Sequence, residues 1–150
     1  MKTILNEADY AAIRKRIMGL SATSPRQWGK MNLQQMLVHC TAQLKLALGE
    51  ITSKPQGLFL MRTGLGKWLI FSNLPWPKGA MTPKEMNVAT NDFLLTDIEL
   101  EKVDLLNYLE KVKRQDQLFP HPFFGNLNRN EWSRMIYKHL DHHLKQFGSY

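Results

Sequence analysis

NRNEWSRMIYKHLDHHLKQF, residues 128–147, is the stretch whose reading decides the fold. Asn128 with Glu131 three residues later has the form of a capping box, which marks a helix start. From there Trp132, Ile136, Leu140, Leu144 and Phe147 recur at a helical period and build one apolar face. On a wheel of about 100° per residue with His139 at zero, His143 lies near 40° and Trp132, Ile136, Phe147 and Leu140 between about 20° and 100°. Two histidines one turn apart thus face inward with the apolar stripe. His142, near about 300°, falls on the polar side, and Gln146, near about 340°, stays beside His139.

Three more amphipathic helices precede this one. Glu7 to Leu20 carries Tyr10, Ile13, Ile17 and Leu20 on one face and is broken by Ser24-Pro25. Asn32 and Gln35 form a second capping box ahead of LQQMLVHCTAQLKLALG, which runs to Gly49, a natural C-terminal stop. A third helix begins at Thr96, with Glu99 at the capping-box position. It carries Ile98, Leu105, Leu106, Leu109 and Val112 and ends before Pro120. Strand alternation is missing, so the expectation is an all-α, four-helix bundle. The long excursion over residues 51–95 needs local structure. Leu58 to Ser72 predicts a short apolar helix broken near Gly64 and Gly66, and Thr82-Pro83-Lys84-Glu85 predicts another with proline at its first position.

Composition narrows the function classes. A chain of 150 residues, 43% apolar and 22% charged, is expected to be one soluble domain over residues 1–150. Its start lacks an apolar run of signal-peptide length, and the longest apolar stretch is interrupted by Arg62, Lys67 and two glycines, so neither secretion nor membrane spanning is expected. Cys40 is the only cysteine, which excludes an internal disulfide and cysteine-rich zinc sites; a cytoplasmic protein is expected. The net charge of +7 is uneven: Ile51 to Lys84 holds five basic residues and no acid, Glu85 to Asp116 eight acids and four bases. The basic residues are too dispersed to track a phosphate backbone, so no nucleic-acid partner is expected; a solvated surface or a rim for anionic substrates fits better.

Two inward histidines are awkward in a bare core, because each ring has a donor and an acceptor to satisfy. A metal ion would meet that demand, yet two ligands rarely make a stable site. His39, in QQMLVHC, is the only other histidine inside a strong helix. It lies about 10 Å from the Asn32 cap, and His139 and His143 lie about 6 to 12 Å from the Phe147 end, so the heights match if the second and fourth helices are antiparallel. That demands a crossover between the second and third helices, which the 51–95 excursion can supply. His39 sits at the margin of its apolar stripe, beside Gln35 and Gln43. His121, in FPHPFFGNL, suits a structural turn, and Cys40 suits a buried structural thiol. On spacing alone, a metal set and a set of hydrogen-bonded interior histidines remain equally open.

HPFFGNLNRNEW at residues 121–132 and His139-x-x-x-His143-x-x-Gln146, with Trp28, Met31 and the LVHC segment as weaker parts, resemble the DinB/YfiT-like superfamily, in particular an uncharacterised branch of it. The resemblance covers most of the chain. It implies a four-helix bundle with a two-to-three crossover and a divalent metal held by His39, His139 and His143. Zinc or nickel suits three imidazoles, and from their places on the wheel Gln146 and His142 are candidates to stand behind the ligands, Gln146 being as well suited to a capping or surface amide. Related members include thiol-dependent transferases and isomerases. Such a site would activate water or a small thiol, a hydrolase or a thiol S-transferase type of chemistry acting on a small-molecule substrate, with a low-molecular-weight thiol as a candidate partner. No carboxylate is placed as a general base: Asp141 points about 200° from His139, and Glu131 lies about two turns earlier. The alternative is a non-catalytic, metal-stabilised or metal-free interaction domain, with the apolar segment at residues 57–76 as a candidate homodimer surface.

Overall fold

Both capping boxes form as the sequence predicts. Asn32 Oδ1 accepts from the Gln35 N–H at 2.8 Å while Gln35 Oε1 accepts from the Asn32 N–H at 2.9 Å. Asn128 and Glu131 make the same reciprocal pair at 2.9 and 2.8 Å. In the computed structural model, which describes residues 1–72 and 74–150, with residue 69 described through its backbone alone, these caps open α2, Leu33–Ala47, and α5, Arg129–Gln146. The other helices are α1, Glu7–Met18, α3, Gly64–Ile70, and α4, Ile98–Arg114, with 3-10 turns at Phe59–Arg62 and Lys84–Met86. Among the described residues there is no strand; His121 and Gly125 form an isolated bridge.

The direction of each helix follows from its end contacts. Just before α2, the Gln27 N–H donates to the Gln146 carbonyl at the close of α5. Past the other end of α2, the Phe119 N–H donates to the Ala47 carbonyl, and the Trp132 indole in the first turn of α5 donates to the Phe119 carbonyl. α2 and α5 are therefore antiparallel, as the matched histidine depths require. α4 runs parallel to α2, because Gln34 reaches the Thr96 carbonyl at one end and Tyr108 reaches Glu50 at the other. The segment between them is the expected crossover. α1 pairs with α4 antiparallel, through Lys113–Glu7 and Lys102 to the Leu20 carbonyl, and with α5 parallel, through Arg16–Asp141.

The four long helices close on one core. Tyr10, Ile13 and Ile17 of α1, Leu37 and Leu44 of α2, Leu105, Leu109 and Val112 of α4, and Trp132, Ile136, Leu140 and Leu144 of α5 are all buried in it. Each such aliphatic side chain contributes about 1.5–3 kcal/mol through its removal from water. Cys40 belongs to this core, with its thiol 3.6 Å from the Met36 sulfur; burial raises its pKa, as suits a structural thiol.

Several element ends differ from the sequence expectation. α4 is capped by Asp97 rather than Thr96: the Asp97 carboxylate accepts from the Glu99 N–H at 2.8 Å, and a carboxylate at a helix start gains from the dipole as well. Thr96 instead donates its N–H and hydroxyl to Glu101. α1 stops at Met18 with Gly19 as its C-cap, leaving Leu20 buried just beyond. α2, by contrast, ends as expected: after Ala47 and the C-cap Leu48, Gly49 takes the left-handed turn at φ +76° that stops the helix. In the crossover the break falls at Thr63, whose hydroxyl accepts from the Gly66 N–H and so caps α3. Gly66 stays inside that helix because its Cα lies against the Leu60 carbonyl and the Met61 backbone, where a Cβ would collide. Pro83 precedes a single 3-10 turn instead of opening a helix.

No helix among the described residues is long and apolar enough to cross a membrane.

Candidate metal centre

α2 and α5 bring His39, His139 and His143 together in the bundle interior. One ligand-type atom from each lies within 4.8 Å of the other two. Ring centroids are 4.9 Å apart for His39–His139, 4.8 Å for His39–His143 and 4.6 Å for His139–His143. All three side chains are buried. His39 does not sit at an exposed margin: α2 is covered on nearly every side, because the turn at Lys84–Met86 packs over the flank that the apolar stripe leaves open.

The hydrogen bonds around the rings assign their protons. His39 Nδ1 lies 2.9 Å from the Met86 carbonyl oxygen, which can only accept, so Nδ1 carries the proton and Nε2 keeps its lone pair. Gln146 Nε2 donates to the Trp28 carbonyl at 2.9 Å, which turns its Oε1 toward His143 Nδ1 at 2.8 Å. His143 therefore also carries its proton on Nδ1 and leaves Nε2 free. A ligating histidine is held in this way when it binds metal through its other nitrogen.

His139 is different. Its Nε2 is 2.9 Å from His39 Nε2, and its buried Nδ1 has no hydrogen-bond partner among the described residues. Since His39 Nε2 is a lone pair, either His139 donates to it and leaves a bare Nδ1 acceptor, or two lone pairs face each other and a Nδ1–H is orphaned. Both arrangements leave a buried polar atom unsatisfied, at a cost of about 1–3 kcal/mol. A cation held between the Nε2 lone pairs relieves their facing one another, leaving the His139 Nδ1–H without a partner among the described residues, so the converging nitrogens fit a metal ion.

Burial holds every imidazole here in its neutral form. His143 is pushed down to about 3 by burial first and by His39 next, with the Gln146 hydrogen bond opposing. His139 lies well below its usual value through burial and then the neighbouring His143 and His39, and His39 is lowered by burial against the opposing Met86 carbonyl. Neutral imidazole is the ligating form.

The three rings line a cavity of about 200 Å³ whose wall also contains Trp28, Gln43, Trp76, Met86, Met135 and the Phe123–Phe124 pair. No carboxylate is among its lining residues. His142 lies at its edge, half-buried, with its ring edge-on to His143 at 5.0 Å and to Trp28 at 5.6 Å. His121 holds the turn that the sequence suggested, its Nδ1 accepting from the Phe123 N–H and its ring stacked on Phe124 at 4.7 Å, yet it also lines the cavity. Gln43 was legible only as a polar neighbour of His39. It is one helical turn along the same face, is 2% exposed, and its Oε1 has no partner among the described residues. The Met86 carbonyl and the two tryptophan walls carried no signal in local periodicity.

A family model described as protein of unknown function (DUF1569) matches residues 2–149. Neither a curated protein nor a solved structure matches the chain.

Proposed function

We propose, for a chain that belongs to the DUF1569 family, a metal-dependent enzyme in which His39, His139 and His143 hold one divalent ion, zinc or nickel, and a small thiol is activated for transfer to an electrophilic substrate. The observation that carries this reading is a cavity lined by three buried, converging imidazoles with no carboxylate among its lining residues. Three protein ligands are the number that catalytic zinc sites use, leaving a position open. The resemblance to the DinB/YfiT-like superfamily, with one histidine from the second long helix and two from the last, supports the same assignment.

A divalent ion at that point would act as a Lewis acid and lower the pKa of a water or thiol bound to it. The residues of the chain do the rest. Met86 and Gln146 fix the rings of His39 and His143. Trp28, Trp76 and the phenylalanine pair exclude bulk water from the reacting end. Hydrolysis would want a general base to take a proton from water. A thiol needs less: its proton passes to solvent, its sulfur forms the new bond to carbon, and the leaving group departs with the old bond's electrons. The methionine and aromatic lining suits a soft, polarisable sulfur.

The test is turnover by metal-loaded protein of an electrophilic aryl halide with cysteine, glutathione or 2-mercaptoethanol, run beside ester and amide hydrolysis. Thiol-dependent, metal-dependent turnover that His143→Ala abolishes is the expected result. Ester or amide cleavage without thiol would move the assignment to a hydrolase.

A second reading, a non-catalytic interaction domain, draws on the exposed Leu58, Phe59, Leu60, Leu65 and Trp68 of the crossover, apolar side chains that a second copy of the chain would cover. Absence of turnover in every assay, with a dimer that Trp68→Glu dissociates, would favour it.

A further inference from the structure

A second cavity, of about 360 Å³, lies on the outer side of Trp28, Trp76 and His142, and these three side chains line both it and the histidine cavity. Its charge is one-sided. Lys2, Lys78, Arg134, Lys138 and Lys145 line it against one acid, Asp141. That acid is already engaged, by Arg16 at 2.7 Å and by Lys145 at 2.8 Å. Among the described residues, Lys2, Lys78, Arg134 and Lys138 have no acidic partner.

The cations are placed rather than merely nearby. Lys138 donates to the carbonyls of Ile70 and Ser72 at 2.6 and 3.1 Å, which pins its ammonium at the wall, and burial lowers its pKa. Lys78 rests over the Trp28 ring at 4.5 Å and Lys2 over the Tyr137 ring at 5.9 Å. Four unneutralised cations in one concavity with aromatic walls focus a positive potential that an anion relieves. The wall between them, indole, indole and imidazole, offers flat apolar surface for the body of a ligand.

Size points the same way. A cavity of about 150 Å³ accepts a benzene molecule, so the histidine cavity, at about 200 Å³, admits the reacting end of a substrate and little more. The rest must lie outside it, and the basic cavity is its neighbour, sharing Trp28, Trp76 and His142 with it.

We propose that the basic cavity binds the anionic part of the substrate, so that the substrate class is a carboxylate or phosphate carried on an apolar or aromatic body that passes Trp76 and His142 toward the three histidines. Calling the ligand a substrate rests on the metal-enzyme reading; the anion site itself does not.

The experiment is calorimetric titration of the wild-type protein with 4-phenylbutanoate and 3-phenylpropyl phosphate, against the neutral 4-phenylbutanol, each in the same buffer. At least one anion should bind tenfold or more tightly than the alcohol, and the better one identifies the head group. In Lys78→Gln with Arg134→Gln, two exposed positions whose loss leaves the core intact, anion binding should fall at least tenfold while alcohol binding stays unchanged. His139→Ala should retain the anion preference, which separates this proposal from the metal assignment: a wild type without metal that still prefers anions would overturn only the latter. Equal binding of anions and alcohol by wild type, or unchanged anion binding in the double variant, overturns the anion site.

Discussion

Gln146 fixes the proton of His143: its Nε2 is committed to the Trp28 carbonyl, so its Oε1 faces His143 Nδ1 at 2.8 Å and leaves Nε2 as the ring's free lone pair. Exchanging the amide's ends would set its oxygen against the Trp28 carbonyl oxygen, two acceptors facing each other with no proton between them. Gln146→Leu should therefore lower metal affinity by about 10- to 100-fold, the usual effect of losing a hydrogen-bond partner behind a ligand. Competition with a chromophoric chelator measures it, and an unchanged affinity would count against the role.

Gly29 provides a second route to the same effect. Its φ is +78°, and a Cβ there would strike the Gln146 amide nitrogen. Gly29→Ala is expected to destabilise the fold by about 1–2 kcal/mol through the left-handed backbone alone and to weaken metal binding by about tenfold through the displaced amide. Chemical denaturation and chelator competition on one preparation separate the two effects; a stability loss with normal metal affinity would show that the amide tolerates the shift.

The two capping boxes should act independently. Asn32→Ala and Asn128→Ala are each expected to cost about 0.5–2 kcal/mol. The start of α2 lies beside the end of α5, and α5, with 18 residues, spans about 27 Å. The costs should add within about 0.5 kcal/mol in the double variant. A larger coupling in urea denaturation would mean that the caps communicate through the bundle.

Acid should unfold the metal-free protein early. His121 is pushed down to about 3 by burial, whereas an unfolded histidine titrates near 6.5. Between those values the unfolded chain binds the extra proton, so stability is full above about pH 6.5 and falls by about 1.4 kcal/mol per unit for this one group as pH drops toward 3. His121→Asn, whose amide oxygen can still accept from the Phe123 N–H, should flatten the fall between pH 6 and 4 by about that slope. Urea midpoints in the presence of a chelator measure it; an identical slope in both proteins would refute the attribution.

How much of this was legible in the sequence depended on how local its cause was. The caps at Asn32 and Asn128 and the stripe from Trp132 to Phe147 are short-range patterns, and they appear as written. The antiparallel pairing of α2 and α5 followed from histidine depth, a constraint between distant residues that the sequence happens to carry. His39 looked marginal because a single apolar stripe was sought, whereas α2 is covered by α4 and α5 and, on the flank of His39, by a turn 47 residues away. The course of the crossover rests on side chains reaching distant carbonyls, Arg62 to Pro122 and Lys67 to Asn126, which no periodicity announces. The basic cavity gathers residues from the N-terminus, the crossover and α5. Of the dispersed basic residues in 51–84 that the sequence left open between a solvated surface and a rim for anionic substrates, only Lys78 lines this cavity; Lys2, Arg134, Lys138 and Lys145 lie far from it in the chain and were not grouped with it.

The metal content of protein purified without a histidine tag tests the central claim most directly. Elemental analysis should find about one zinc or nickel ion per chain in the wild type, as a single three-histidine site requires, and almost none in His39→Ala, His139→Ala or His143→Ala variants whose helical circular dichroism matches wild type. A wild type free of stoichiometric divalent metal after zinc and nickel loading, or folded variants that retain it as tightly, would contradict the account.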